Sequence, residues 1–395
     1  MIGLGSVEAN ARMTQGLFWR RSMKRSQWIH SLLMLLLSGP AWAADLPTPA
    51  SAELCGRCHR AIFEAWKDSS HSKAMQSWLF QDALELAETD FGKGTRRTCL
   101  RCHSPVGSAL GDVNLEKKVS WEGVTCDYCH SLRSVSMAEA NPKAVVSFTL
   151  VKSGPLKNAS SIAHGTEFSE VHASSVACAP CHEYQNALGF PLLTTFSEWK
   201  NSRYAKEGKQ CQSCHMYRVA GEVVDPRIKR SSLVKINLHQ MPGSHSVTQL
   251  TKAVTAQLST SRKGDQLQVV VTLVNREAGH YVPTGSPLRQ LILEVVADGG
   301  TGYHFREERF FRRVVADAGG TAVTKEHFAF LKGARVLSDT RLAPDEKRTE
   351  TFSFPIPPGI QTQLTANLRY YYSPMARIDS QKQVNFLSMS RLVRY

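Results

Sequence analysis

Cysteine and histidine recur together in this chain in a pattern that can attach a porphyrin. All ten cysteines lie in five copies of the motif Cys-x-x-Cys-His. Cysteines three residues apart are separated by about one helical turn, so both thiols can form thioethers to the vinyl groups on one porphyrin edge. The histidine that follows then lies beneath the iron, which is the attachment pattern of c-type haem.

The motifs define two sets of candidate residues. The cysteines expected to hold haem covalently are Cys55, Cys58, Cys99, Cys102, Cys126, Cys129, Cys178, Cys181, Cys211 and Cys214. The histidines expected as proximal iron ligands are His59, His103, His130, His182 and His215. The alternative is zinc, but a structural zinc site pairs two Cys-x-x-Cys units and gives no reason for the histidine. The sequence therefore predicts five haem c groups.

The N-terminus predicts export. Residues 23–25 are Met-Lys-Arg, residues 29–37 are mostly apolar, and residues 41–43 are Ala-Trp-Ala, which together are typical of a cleaved signal peptide. We therefore expect residues 1–43 to be a signal peptide whose true start is Met23. The apolar run is shorter than the roughly 20 residues of a membrane-spanning helix, so no transmembrane segment is expected after cleavage; an uncleaved anchor is the alternative. The expected location is the periplasm, with the cell surface or the extracellular space as alternatives.

The charge of the chain does not point to nucleic acid. The whole sequence has a formal net charge of +14, and removal of residues 1–43 lowers it to +10. Part of this excess is expected to balance haem propionates, because buried carboxylates need nearby cations. The basic residues are scattered and accompany no nucleic-acid-binding motif, so no nucleic-acid partner is expected.

Two parts with different patterns follow the signal peptide. Residues 44–247 contain all the haem motifs, in helical fragments and loops. About 200 residues that surround five porphyrins cannot also build a large aliphatic core, so the haems are expected to form the core themselves. Residues 248–395 lack cysteine and show alternating apolar residues that predict strands at Leu267–Val274, Gln290–Val296, Thr349–Phe354 and Leu364–Tyr370. The predicted fold class is α+β multidomain: a mostly helical and loop pentahaem cytochrome c domain, followed by a C-terminal β-sandwich.

The sixth position of each iron separates an electron carrier from a catalyst. A second histidine closes the iron for electron transfer, whereas an open position can bind a substrate. Three histidines besides the proximal ligands are set aside. His30 lies in the signal peptide, and His304 and His327 lie in the β-domain away from any loop marked by Gly or Pro. The candidate distal ligands are His71, His164, His172, His239, His245 and His280. Each has an alternative role as a surface, propionate-binding or turn residue.

A weak internal repeat adds one more candidate. Residues 63–73 are similar to residues 196–206, and the position of His71 is taken by Tyr204 in the second copy. A tyrosine near the fifth haem could donate a proton to a bound molecule, and the alternative is an aromatic residue packed on a helix.

Several segments together resemble a known family. They are Cys55–Ala74, Glu122–His130, Trp199–Met216, His239–His245 and Gly279–Gly285. They are similar to the multihaem c-type cytochromes, and more narrowly to those related to the tetrahaem carrier that accepts electrons from hydroxylamine oxidoreductase. The resemblance covers nearly the whole mature chain.

The resemblance implies haems stacked in closely spaced pairs, with distal ligands at His71, His172, His239 and His245. The chain departs from the tetrahaem carrier by its fifth site and its added β-domain, so ligand pairing cannot be copied across. It also lacks the Cys-x-x-Cys-Lys motif of many pentahaem nitrite reductases.

The sequence thus predicts a periplasmic electron carrier with no catalytic residues. Its expected partners are redox proteins, either donor and acceptor cytochromes or a quinol dehydrogenase. Two alternatives remain open. One is a haem oxidoreductase that acts on a small nitrogen or sulfur compound at one open iron. The other is a structural subunit of a cytochrome filament, in which a histidine such as His280 ligates iron in a neighbouring subunit.

Overall fold

The computed structural model describes residues 49–229, 234–300, 302–356, 358–378 and 382–394. The predicted signal peptide at residues 1–43 lies outside the described residues. Within the described ranges, no helix combines the length and the apolar character needed to cross a membrane.

Short α-helices are distributed along the chain up to residue 253. The α-helices are α1 (Ala52–Gly56), α2 (Arg60–Lys67), α3 (Trp78–Phe91), α4 (Arg96–His103), α5 (Pro105–Ala109), α6 (Cys126–His130), α7 (Ala179–His182), α8 (Thr195–Lys200), α9 (Arg203–Lys206), α10 (Cys211–His215), α11 (Val247–Ala253) and, later in the chain, α12 (Glu326–Lys332). Side-chain caps start several of them: Ser51 accepts the Leu54 N–H before α1, and Thr125 accepts the Asp127 N–H before α6.

Small strand pairs lie between these helices. The strands are β1 (Leu132–Ser136), β2 (Lys143–Val146), β3 (Val151–Gly154), β4 (Gly165–Phe168), β5 (Glu183–Gln185), β6 (Pro191–Thr194), β7 (Arg218–Gly221) and β8 (Val234–Asn237). They pair consecutively, and β3–β4 is parallel whereas the other pairs are antiparallel. Two-stranded pairs of this size are marginal alone, so they depend on the surrounding packing.

Long antiparallel strands form the C-terminal part. They are β9 (Val254–Lys263), β10 (Gln266–Asn275), β11 (Gln290–Asp298), β12 (His304–Ala316), β13 (Arg335–Asp339), β14 (Lys347–Pro355), β15 (Gln361–Tyr371) and β16 (Gln383–Arg394). One sheet has the order β14-β10-β9 and the other β13-β12-β11-β15-β16. The four strand segments predicted from alternation lie within β10, β11, β14 and β15, so these predictions are confirmed.

The two large sheets share one hydrophobic core. Burial alternates residue by residue along β10, and its buried side chains pack with those of β11, β14 and β15. Phe352 and Phe354 of β14 are fully buried there, and Phe354 stacks on Phe305 at 4.1 Å. Burying such a side chain stabilises the fold by about 1.5–3 kcal/mol. The mixture of helices and sheets is as predicted, and the domain boundary at residue 247 stays a prediction.

Polar contacts join the sheets to the part that contains the motifs. Arg313 of β12 donates to the carbonyls of Leu192 and Pro191 at 3.1 and 2.9 Å. The loop between β10 and β11 packs on α8 and α9, where a Cβ added to Gly279 would lie 3.2 Å from Trp199. The sheet part therefore contributes a loop to the region of the fifth motif.

Candidate haem sites

Local helical structure gives the two cysteines of each motif their spacing. Helices α4, α6 and α10 each contain a complete motif, and the fourth motif ends α7 after a 3₁₀ turn at Ser175–Cys178. In the first motif the His59 N–H donates to the Cys55 carbonyl at 2.9 Å, so a helical turn joins the two residues. This spacing suits thioether bonds to one porphyrin edge.

Backbone carbonyls orient the motif histidines. The Nδ1 atoms of His59, His103, His130 and His215 lie 2.5, 3.2, 2.7 and 2.7 Å from the carbonyl oxygens of Val223, Ala74, Ser153 and Pro242. A carbonyl accepts only from the protonated nitrogen, so each contact assigns the proton to Nδ1 and leaves Nε2 free for iron.

Burial favours the neutral form of His103 and His130, which is the form that binds a metal. It lowers the pKa of His103 and of His130 to about 4, although the hydrogen bonds that they donate to the Ala74 and Ser153 carbonyls raise it. Burial also lowers the pKa of His182 to about 3, and the neighbouring His71 lowers it further.

Histidine pairs stand at the separation that a shared iron requires. A ligating nitrogen lies about 2 Å from the metal and about 1 Å from its ring centre, so two axial imidazoles have ring centres about 6 Å apart. The measured separations are 6.1 Å for His59–His164, 6.3 Å for His182–His71 and 6.3 Å for His215–His280. The cysteines, the free Nε2 atoms and these separations together fit haem c.

Two candidate ligands lie beside His130. His239 is 6.4 Å from it and His172 is 5.7 Å from it, measured between ring centres. The Nδ1 of His239 bonds the Asn237 carbonyl at 2.7 Å, which leaves Nε2 free. His172 is reversed: its Nε2 bonds the Cys129 carbonyl at 2.7 Å, and its buried Nδ1 has no partner among the described residues.

The second motif differs from the others. The ring of His103 stacks on Phe80 at 3.7 Å, and within the described chain none of the six candidate histidines has a ring contact with it. His245 instead stacks on Tyr372 at 4.3 Å, because the Tyr372 hydroxyl donates to the Ser244 carbonyl and holds this turn against the sheet part. The structure therefore brings five of the six candidates next to motif histidines, and His245 is the exception.

Two further side chains clarify earlier expectations. Met241, which the sequence analysis did not single out, contacts His71 through its sulfur, 2.9 Å from Nδ1. The Tyr204 hydroxyl donates to the Arg276 carbonyl at 2.5 Å. That bond occupies the proton proposed for donation and favours the alternative of a packed aromatic residue.

Cysteines of different motifs are neighbours. The thiol groups contact each other in the pairs Cys55–Cys126, Cys102–Cys181 and Cys178–Cys211. The phenol of Tyr128 lies near Cys102, Cys129 and Cys181, which belong to three different motifs. The five attachment points are therefore connected, and the fourth motif touches the most neighbours among these pairs.

Sequence comparison agrees with the resemblance over the first three motifs. Residues 54–131 match the family described as cytochrome c554 and c-prime. Over 108 residues the chain is 32% identical to cytochrome c-554 of Nitrosomonas europaea, which corresponds to 26% of this chain and 46% of that protein. The match thus spans about half of the relative's length, and the predicted resemblance is confirmed.

Structure comparison extends the likeness to the sheets. The fold is similar to the crystal structure of a penta-haem cytochrome c552 from Thermochromatium tepidum, with a TM-score of 0.69 and 21% identity. The similarity covers 87% of this chain and 99% of that chain, so it includes strands of the C-terminal part. At this identity the comparison establishes a shared fold. Together, the comparisons show that residues 54–131 are similar in sequence to cytochrome c554 and that the chain is similar in fold to a penta-haem cytochrome c552.

Proposed function

We propose that this protein is a periplasmic cytochrome that transfers electrons between redox partner proteins through five covalently bound haem c groups. The observation that carries the proposal is the set of histidine pairs about 6 Å apart, each containing a Cys-x-x-Cys-His histidine. Haem, when bound, supplies one-electron oxidation and reduction at iron. A second imidazole leaves no position for a substrate, which suits electron transfer.

The proposed axial pairs follow from ring separation and from the free nitrogen. They are His59 with His164, His182 with His71, His130 with His239, and His215 with His280. His172 remains a second candidate beside His130, through Nδ1. No candidate histidine is assigned opposite His103, so its iron is the one we propose to be open to small ligands.

The contacts between motifs support a continuous path for electrons. Motif one touches motif three, and motif four touches motifs two and five, through the cysteine pairs described above. Cys129 of the third motif also lies near Cys178 and Cys181 of the fourth. An electron that enters at any motif can therefore reach the others. Donor and acceptor cytochromes or a quinol dehydrogenase are the proposed partners.

The proposed organisation is a signal peptide at residues 1–43, a haem domain at 44–247 and a β-sandwich domain at 248–395. The sandwich would cover the haem domain and offer a docking face. N-terminal sequencing of the exported protein tests the first boundary, because cleavage should leave Ala44 as the first residue.

The intact mass of the denatured mature protein tests haem attachment. We expect the mass of the polypeptide from Ala44 plus five haems, since thioether bonds survive denaturation. Replacement of both Cys126 and Cys129 by serine should remove one haem. A wild-type mass without covalent haem would contradict the proposal.

The carbon monoxide difference spectrum of the reduced protein tests the axial pairs. The proposed pairing predicts that roughly one haem equivalent responds, because closed irons exchange their ligand poorly. A response from several haems would refute the pairing. The rival hypothesis of an oxidoreductase makes a further demand, namely that a small nitrogen or sulfur compound is turned over at that iron.

A further inference from the structure

We infer that Glu198 and Arg341 form a buried clamp that positions His280 opposite His215. The inference rests on the proposed pairing of these two histidines. It makes the sheet part a structural component of the fifth haem site, because Arg341 and His280 both come from that part and Glu198 comes from helix α8.

The two charges of the clamp lie between the parts of the protein. Arg341 Nη1 donates to Glu198 Oε1 at 2.8 Å. The side chain of Arg341 is only 9% exposed and that of Glu198 only 6%. Asp339 holds the other side of the guanidinium, with distances of 2.9 Å to Nε and 2.8 Å to Nη2. The guanidinium thus bridges two carboxylates, a geometry that a lysine cannot reproduce.

The Glu198 carboxylate fixes the loop that follows His280. Its Oε2 accepts the Tyr281 backbone N–H at 3.2 Å and the Thr284 hydroxyl at 2.8 Å. Oε1 also accepts the Thr194 hydroxyl at 2.8 Å, which ties the carboxylate to the start of its own helix. The loop therefore has two fixed points immediately after the candidate ligand.

Arg341 contacts the same loop. Its guanidinium lies 4.6 Å from the ring centre of Tyr281 and donates to the Pro283 carbonyl at 3.4 Å. The neighbouring Leu342 exchanges two backbone hydrogen bonds with Val282, at 2.9 and 3.0 Å. Residues 281–284 are therefore held by both members of the ion pair and by backbone pairing.

The remaining contacts transmit this order to the imidazole. The Asn275 amide donates to the His280 carbonyl at 3.0 Å, and His280 Nδ1 lies 2.9 Å from the Tyr281 carbonyl. The His280 residue is half-buried, and its ring is inclined by only 16° to that of His215. Because Nδ1 is bonded to the residue that Glu198 holds, displacement of Tyr281 would rotate the imidazole away.

The carboxylate remains charged in this buried position. Burial raises the pKa of Glu198, but Arg341 and the hydrogen bonds from Thr194 and Thr284 lower it further, and the net shift is downward. Removal of Glu198 would leave a poorly solvated guanidinium in the junction, which would draw water or rearrange. Loosening of the loop is the expected result.

The test measures carbon monoxide binding by the reduced, haem-loaded mature protein. His280→Ala provides the reference, because it removes the proposed ligand directly and should add roughly one reactive haem equivalent to the wild-type response. Glu198→Ala should add the same spectral component. Glu198→Gln should add less, because its amide oxygen can still accept from Tyr281. Added imidazole should suppress the new component in both alanine variants.

Arg313→Gln is the matched control. Arg313 is also buried and joins the two parts, but it bonds the Leu192 and Pro191 carbonyls and not the His280 loop. Its replacement should lower the melting temperature without adding a reactive haem. An equal increase in carbon monoxide binding by this control would show general loosening and would overturn the clamp.

The outcomes separate the clamp from the proposed function. If His280→Ala adds a reactive haem and folded Glu198→Ala does not, the clamp is wrong and the pairing stands. If His280→Ala adds none, the pairing with His215 is wrong. If Glu198→Ala fails to fold, Arg341→Lys replaces it: partial opening of the same haem supports the clamp, and an unchanged spectrum overturns it.

Discussion

Asp127 lies inside the third motif, between Cys126 and Cys129, and forms a buried ion pair with Lys152. The side chains are 0% and 16% exposed. The carboxylate also accepts the Ala50 N–H at 2.5 Å and the Ser131 hydroxyl at 2.8 Å. Asp127→Asn removes the charge, keeps the shape and leaves the Lys152 ammonium buried without its partner. We expect the free energy of unfolding to fall by about 3–5 kcal/mol, the cost of breaking a buried pair from one side.

A double-mutant cycle isolates the pair. Lys152→Met should also destabilise the protein, because the carboxylate then remains buried with only its neutral donors. The double variant leaves no unpaired charge, so its loss should be smaller than the sum of the single losses by about 0.5–3 kcal/mol.

Denaturant unfolding of the haem-loaded protein, followed by far-ultraviolet circular dichroism, measures these differences. The exposed pair Lys143–Glu139, with side chains 60% and 55% exposed, is the control. Lys143→Met should change stability by about 0–1 kcal/mol because water screens the pair. The buried ion pair would be refuted if the losses in unfolding free energy of Asp127→Asn and Lys152→Met were strictly additive. It would also be refuted if Asp127→Asn lost no more stability than the control Lys143→Met.

Further predictions concern the rest of the fold. Burial raises the pKa of Glu326 despite the Ser286 hydrogen bond, so the folded chain keeps a proton that the unfolded chain releases above about pH 4.3. The free energy of unfolding should therefore fall as the pH rises from about 4.3 towards the pKa of Glu326 in the folded chain. Denaturant unfolding at several pH values should show that Glu326→Gln reduces this dependence on pH. Phe352→Ala should lower the free energy of unfolding by about 3–5 kcal/mol in the same assay, since its ring is buried between the large sheets. A loss smaller than that of the surface variant Lys143→Met would contradict the placement of Phe352 in the hydrophobic core. Tyr204→Phe should lower the free energy of unfolding by about 1 kcal/mol, because it removes the hydrogen bond to the Arg276 carbonyl. The rate of reduction measured by stopped flow should stay unchanged, and a slower rate would support the hypothesis that Tyr204 donates a proton.

Local patterns explain which parts of the fold could be predicted from sequence. The Cys-x-x-Cys-His motif is recognised from five consecutive residues, which span little more than one helical turn. In the strands of the large sheets, apolar and polar residues alternate with a period of two over many residues. The short pairs β1–β8 gave no comparable signal, because three to five residues are too few to show a period. Their positions depend on packing around the motifs.

Distance along the chain explains what the sequence could not supply at the site. His71 and His182 are neighbours in space although more than a hundred residues separate them, and counting histidines cannot pair them. The segment His239–His245 was expected to provide two ligands. In the structure His239 stands beside His130, and His245 stacks on Tyr372, a contact set by the sheet part.

The clamp residues illustrate the same limit. Glu198 and Arg341 lie 143 positions apart, and neither belongs to a recognisable motif. Only the folded chain brings them together with the His280 loop. His280 itself was a candidate because it remained after the proximal, signal-peptide and other β-domain histidines were set aside.

Electron counting tests the central claim most directly. The fully reduced mature protein is mixed with an excess of an oxidised small c-type cytochrome, and the reduced product is measured spectrophotometrically per polypeptide. The account predicts five electrons delivered, one for each Cys-x-x-Cys-His motif, with no added small-molecule substrate. Delivery of fewer than five electrons, or delivery only when such a substrate is present, would contradict it.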